Sequence, residues 1–171
     1  MILNKKSFIF IILIILVFSI NSAFSIEYKN DFTVTYYWPI DDDEIIINGC
    51  NITFSGCTVD LIATNYLKII NGGTLTIDNC VATIDADIKA DNGTFIIKDC
   101  SDSTKEIVDL LGDIDLDNGS KFEITNSGHW DSDEKTYYPL DITGRMDLRN
   151  NSLFKFTNSH INFPQVVSYE H

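Results

Sequence analysis

The chain has 171 residues, and 25 aspartates and glutamates outweigh 12 lysines and arginines to give a formal net charge of −13. Such a field repels nucleic acid and anionic membrane surfaces, so neither is expected as a partner. With 44% hydrophobic residues, the length suits one ordinary domain with its own core.

The N-terminus reads as a secretion signal. Lys5 and Lys6 precede an apolar run from Phe8 to Ile20, broken only by Ser19, and Ala23-Phe24-Ser25 places small residues where a signal peptidase reads. The run is about thirteen residues, against roughly twenty needed to span a bilayer. Residues 1–25 are therefore expected as a cleaved signal peptide, leaving a secreted protein of 146 of the 171 residues with no membrane attachment. Loss of Lys5 and Lys6 takes the net charge to −15. An uncleaved signal anchor in the secretory-pathway membrane is the alternative. Gln165 to His171 carries no apolar tail of the kind that precedes a lipid anchor.

Residues 26–44 follow as an N-terminal cap segment. Phe32-Thr33-Val34-Thr35-Tyr36 alternates like a strand, Pro39 interrupts it, and Asp41-Asp42-Asp43-Glu44 is a charged stretch. Residues 45–171 form the repeat domain. Five ten-residue blocks begin at Asn48, Asn71, Asp91, Asn118 and Asn150, spaced 23, 20, 27 and 32 residues apart. Each opens on Asn/Asp/Gly turn chemistry, continues through an apolar-polar-apolar triplet and closes on Cys or Ser. Inside the blocks the apolar pairs are Ile52/Phe54, Leu75/Ile77, Phe95/Ile97, Phe122/Ile124 and Phe154/Phe156. Further alternating pairs flank the blocks, among them Leu67/Ile69 before the second and Ala82/Ile84 after it. Period-two alternation on such short runs predicts half-buried strands, up to three per repeat, turned at Asn and Gly. The 27 and 32 spacings carry insertions in place of a third strand. One is Ser103 to Leu111, the best helical stretch of the chain, and the other runs from Gly128 to Leu140.

A period of 20 to 30 residues signals a stacked architecture. The expected fold is all-β: a short right-handed parallel β-helix of about five rungs behind the cap segment. Asn51-Ile52-Thr53-Phe54-Ser55-Gly56-Cys57-Thr58-Val59 and Leu75-Thr76-Ile77-Asp78-Asn79-Cys80 resemble right-handed β-helix repeats of the pectin-lyase-like superfamily, with polymorphic outer-membrane-protein repeats the nearest in flavour. Two alternatives share part of the pattern. A leucine-rich repeat matches Leu75, Ile77, Cys80 and Ala82, but leucine does not dominate. A β-sandwich accommodates any set of short alternating strands.

Cys57, Cys80 and Cys100 share one repeat position, so stacking places neighbours one rung apart and makes a Cys57–Cys80 or a Cys80–Cys100 disulfide feasible. The plainer reading is a column of small buried residues. Neither C-x-x-C nor ligand-spaced histidine occurs, so no metal or other cofactor is expected. Four sequons, at Asn51, Asn92, Asn118 and Asn150, are glycan acceptors in a secreted chain, although Asn-Gly-Ser/Thr is also good turn chemistry.

Thr35-Tyr36-Tyr37-Trp38-Pro39 is echoed by Thr136-Tyr137-Tyr138-Pro139. Trp38, Trp130, Tyr137 and Tyr138 are candidate carbohydrate-binding residues, because an aromatic face suits the apolar side of a sugar ring. Asp85, Asp87, Asp91 and Asp99 are candidates for a carboxylate cluster, as acids or as Ca²⁺ ligands. The resemblance implies that an active polygalacturonase would carry Asn-Thr-Asp, Asp-Asp, His-Gly and Arg-Ile-Lys motifs, and these are missing. Arg145 and Arg149, the two arginines, stand outside any such motif. His129 has no evident nucleophile to serve, so no catalytic residue is assigned. The expectation is a secreted, non-catalytic β-helix repeat protein for adhesion, extracellular matrix or carbohydrate binding. Its partners would be carbohydrate, a cell-surface glycoprotein or further copies of itself. A polysaccharide lyase or glycoside hydrolase is the alternative.

Overall fold

A computed structural model describes residues 25–100, 108–131, 136–163 and 166–168, with the backbone alone for residues 129–131, 136–138 and 166–168. Apart from Ser25, the expected signal peptide lies outside the described residues.

The described residues form strands and turns only. In chain order, β1 (Ser25–Tyr28), β2 (Phe32–Val34) and β3 (Trp38–Asn48) lead into β4 (Asn51–Ser55) and β5 (Thr58–Ile70). Next come β6 (Thr74–Asp78), β7 (Val81–Asp91), β8 (Thr94–Lys98), β9 (Val108–Leu110), β10 (Ile114–Asp117) and β11 (Lys121–Thr125). After β12 (His129–Asp131) and β13 (Thr136–Tyr138) follow β14 (Leu140–Ile142), β15 (Met146–Leu148), β16 (Leu153–Thr157), β17 (Ile161–Asn162) and β18 (Val166–Ser168).

All pairings but one are parallel, and they sort into three sides of a β-solenoid of about five turns. The first side stacks β1, residues 44–48 of β3, 66–70 of β5, 87–91 of β7, then β10, β15 and β18. The second stacks β2, β4, β6, β8, β11 and β16. The third stacks residues 38–42 of β3, 58–62 of β5 and 81–85 of β7, followed by β9, β14 and β17. The parallel stack expected from the repeats is thus the fold. The N-terminal segment covers the first repeat by occupying the same three sides, β1 against β3, β2 against β4 and residues 38–42 of β3 against β5.

Alternation dictates what goes inside. On the second side Ile52, Leu75, Phe95, Phe122 and Phe154 align in one inward column, and Phe54, Ile77, Ile97, Ile124 and Phe156 in the next. Stacked strands lie about 4.8 Å apart, and the Phe95 and Phe122 rings stack at 4.8 Å with planes 7° apart. On the first side Ile45 and Ile47 point inward and Ile46 outward, in register with Leu67, Ile69 and Lys68. Ile88 and Ala90 continue that register because the turn of the third repeat begins at Asn92, one residue after Asp91.

The third strand survives both insertions, contrary to expectation. Residues 101–107 lie outside the described residues, but Val108–Leu110 is strand β9, pairing Val108 with Ala82 and Leu110 with Ile84. The helix expected over Ser103–Leu111 therefore gives way there, because burying Val108 and Leu110 on the stack outweighs local helix preference. In the next repeat β14 pairs with β9, so the excursion precedes the third side instead of replacing it.

The inward columns end at β16, the edge strand of the second side, where Phe156 is 58% exposed. Phe122, by contrast, lies fully buried between Phe95 and Phe154. Phe122→Ala should cost about 3–5 kcal/mol in chemical denaturation. Phe156→Ala should cost under about 1 kcal/mol, and equal costs would contradict this stacking.

Candidate functional site

Each circuit turns between its second and third sides at one corner, and the antiparallel β12–β13 ribbon leaves the stack there. The corner opens on a residue of positive φ: Gly56 (62°), Asn79 (50°), Asp99 (54°), Asn126 (50°) and Asn158 (50°). Asn and Gly tolerate this conformation where other side chains meet their own backbone. The next position holds Cys57, Cys80, Cys100, Ser127 and Ser159. The backbone N–H of three of them donates to the sulfur or oxygen one rung on: Cys57 to Cys80 Sγ (3.4 Å), Cys100 to Ser127 Oγ (3.3 Å) and Ser127 to Ser159 Oγ (3.1 Å). Those side chains donate back to a carbonyl two residues earlier, as Cys80 does to Asp78 and Ser127 to Thr125. The column therefore satisfies polar backbone that the corner would otherwise bury unpaired.

All four cysteines are free thiols, and Cys57 and Cys80 touch, with Sγ atoms 3.6 Å apart. Burial pushes the Cys57 thiol up to about 11, with the Cys80 sulfur adding to it, and burial takes the Cys100 thiol to about 11 as well. Cys50 sits at the far end of β4, its Sγ donating to the Tyr28 carbonyl at 3.3 Å.

Three segments follow this corner: Thr35–Tyr37 before β3, residues 101–107 before β9, which lie outside the described residues, and the ribbon before β14. In the first, Tyr36 and Tyr37 are 60% and 56% exposed, and the Tyr37 hydroxyl donates to Asp60 Oδ2 at 2.9 Å. That bond to Asp60 raises the Tyr37 pKa, so the phenol stays neutral. Trp38 is half-buried against the core, its ring 5.5 Å from that of Tyr36. The third segment is the only antiparallel pairing among the described strands. β12 and β13 set His129 opposite Tyr138 and Trp130 opposite Tyr137. The side chains of these residues lie outside the described set.

Of the four expected aromatic residues, the backbone thus brings Trp130, Tyr137 and Tyr138 into one ribbon. Trp38 lies on the same edge but far along it, since β5, β7 and β9 separate β3 from β14 on the third side. The interval is about 19 Å at the usual strand spacing. Tyr36, Tyr37 and Asp60 were missed as candidates. The Thr-Tyr-Tyr echo marks the two tyrosines, while nothing local in the sequence links Asp60 to them.

The carboxylate cluster does not assemble. Asp85 and Asp87 flank the corner between third and first sides, Asp91 ends the first side, and Asp99 sits at the cysteine corner. Asp87 accepts from the Asp113 backbone, Asp91 from Asn118 Nδ2 and Asp99 from Asn126 Nδ2. No group of three potential metal ligands occurs among the described residues. The arginines are paired: Arg145 with Asp147 (3.4 Å) and Asp113 (3.6 Å), and Arg149 with Asp115 (3.7 Å). A groove of about 290 Å³ on the first side is lined by both signs of charge, including Lys68, Lys89, Asp91, Asp115 and Arg149. There Lys89 Nζ lies 3.6 Å from the centre of the Tyr66 ring.

The sequons occupy the opposite corner, between first and second sides. Asn92, Asn118 and Asn150 have φ of 52°, 52° and 48°, stacked rung on rung. Asn118 Nδ2 donates to Asp91 at 2.7 Å, Asn150 Nδ2 to Asp117 at 2.6 Å, and Asn51 Nδ2 to Asp31 at 3.3 Å. The rung before Asn92 presents Ile70 where the others present a carboxylate, so the exposed Asn92 amide makes no such bond.

No family model, no curated protein and no solved structure matches this chain.

In the reduced protein a thiol pKa near 11 leaves, at pH 8, on the order of 100-fold less thiolate than an unperturbed cysteine holds. Alkylation of folded Cys57 and Cys100, followed by mass spectrometry, should therefore keep accelerating from pH 9 to pH 11. A plateau at pH 9 would contradict the shift.

Proposed function

We propose that the protein is a secreted, non-catalytic β-helix repeat module, akin in architecture to the pectin-lyase-like proteins, that binds carbohydrate of the extracellular matrix or of cell-surface glycoproteins. The observation that carries this reading is the aromatic edge. Exposed Tyr36 and Tyr37, with a hydroxyl set on Asp60, lie at one end of the cysteine corner. The same Thr-Tyr-Tyr sequence recurs about 19 Å along that corner, with Tyr137 paired in register to Trp130 in the β12–β13 ribbon. Aromatic rings supply apolar stacking area, and a carboxylate beside them accepts from sugar hydroxyls. Two such points on one straight edge suit an extended chain of sugars better than a single ring.

Titration of the purified protein with neutral and acidic oligosaccharides of increasing length tests this. Affinity should rise with length, and Tyr37→Ala and Trp130→Ala should each weaken it about tenfold, equivalent to 1.4 kcal/mol. Binding to no glycan on an array would remove the carbohydrate reading. Release of unsaturated or reducing ends from an acidic polysaccharide, with or without Ca²⁺, would replace it with a lyase or hydrolase.

Glycosylation belongs to the same reading. A glycan on Asn118 or Asn150 would replace an amide hydrogen bond to the neighbouring rung, whereas Asn92 has none to lose. Protein secreted from eukaryotic cells should carry glycan at Asn92 ahead of Asn118 and Asn150, as peptide mapping before and after enzymatic deglycosylation would show. Dominant occupancy at Asn118 or Asn150 would contradict that order.

A further inference from the structure

We infer that Cys57 and Cys80 form a disulfide that closes one circuit of the solenoid into a covalent ring, while Cys50 and Cys100 remain thiols. The two sulfurs are already in contact at 3.6 Å, and the Cys57 backbone N–H donates to Cys80 Sγ. The residues that follow them, Thr58 and Val81, pair in register. Neighbouring strands lie about 4.8 Å apart, within the roughly 4.4–6.8 Å Cα range of disulfides. Closing the bond needs the side chains to draw together, with no strand displaced.

The other thiols are placed differently. Cys100 continues the column and donates to the Lys98 (3.3 Å) and Ile77 (3.7 Å) carbonyls, but its Sγ makes no contact with Cys80 Sγ like that of Cys57, and it is buried at 1% exposure. Cys50 is separated from Cys57 by the whole of β4. Cys57 is the one cysteine that reaches solvent appreciably, so an oxidant meets this pair first.

The chemistry is thiol–disulfide exchange with a small-molecule disulfide such as oxidised glutathione. One cysteine thiolate attacks a glutathione sulfur, breaks its S–S bond and expels one glutathione thiolate. The second cysteine then attacks the mixed disulfide and expels the other. One S–S bond forms and one breaks, and the two protons and two electrons leave with two molecules of reduced glutathione. Cys57 and Cys80 are 23 positions apart and the ring contains β5 and β6, so it ties two neighbouring rungs near the N-terminal end. A stack otherwise held by nearest-neighbour contacts opens from its ends, and the cross-link blocks opening through these rungs.

Purified protein, reduced and folded, would be equilibrated with an excess of oxidised over reduced glutathione, then alkylated and mapped without reduction. The expected result is one linked pair, Cys57 with Cys80, with titratable thiols in denaturant falling from four to two. Melting temperature should rise by about 5 °C. Cys100→Ser should keep the link. Cys57→Ser should abolish it and leave Cys80 reduced. Four persisting thiols, a Cys80–Cys100 link, or a link that appears only when the protein is first unfolded would overturn the inference. Secretion matters here only as the route to an oxidant. A chain retained in the cytosol that still links these cysteines in glutathione would remove the secretion reading and leave the cross-link standing.

Discussion

The stack depends on the backbone turning at the same two corners in every circuit without losing register. Among the described residues nine non-glycine positions adopt positive φ, eight of them asparagines and one an aspartate. For most residues this conformation costs about 1–2 kcal/mol. Asparagine lowers that cost and returns some of it, because its amide reaches the adjacent rung: Asn71 to Asn48, Asn126 to Asp99 and Asn158 to Asn126, at 2.8, 3.0 and 3.0 Å. Turn geometry and rung-to-rung cohesion are thus supplied by one residue type. Where the chain uses glycine, as at Gly49 and Gly56, it gains the geometry and forgoes the bond.

The third corner works on another principle. In the early circuits β3, β5 and β7 run through it unbroken, with a register shift between Asp42 and Glu44 and another between Ile62 and Tyr66. In the later circuits the strands separate, and Gly112 and Gly144 let one corner seat directly on another. A Cβ at Gly112 would lie 2.2 Å from the Ala86 carbonyl oxygen, and one at Gly144 2.1 Å from that of Gly112. Insertions here are small, two extra residues between Ile62 and Tyr66 of β5 against β7, whereas the cysteine corner carries the β12–β13 ribbon.

The stack was legible in the sequence because its two signals, alternation by twos and turns built on Asn or Asn-Gly, are local and repeat five times. What failed were readings that needed three dimensions. Asp85, Asp87, Asp91 and Asp99 are close in sequence, yet three corners divide them. Val108 and Leu110 make a strand too short to show a period, and only the neighbouring rung gives them somewhere to be buried. Trp38 and Trp130 share an edge that the sequence could not measure, and Asp60 reaches Tyr37 only through the pairing of β3 with β5.

The bent strands have a mechanical consequence. A hydrogen-bonded ladder that continues around a corner carries load from one side of the rod to the next, while the three-residue corners centred on Gly112 and Gly144 interrupt it. The rod is therefore stiff where β3, β5 and β7 bend without a break, and compliant from β9 onward. Tension or thermal opening would be taken up first in the later circuits, so the two ends of the molecule are mechanically unequal although their repeats are built alike.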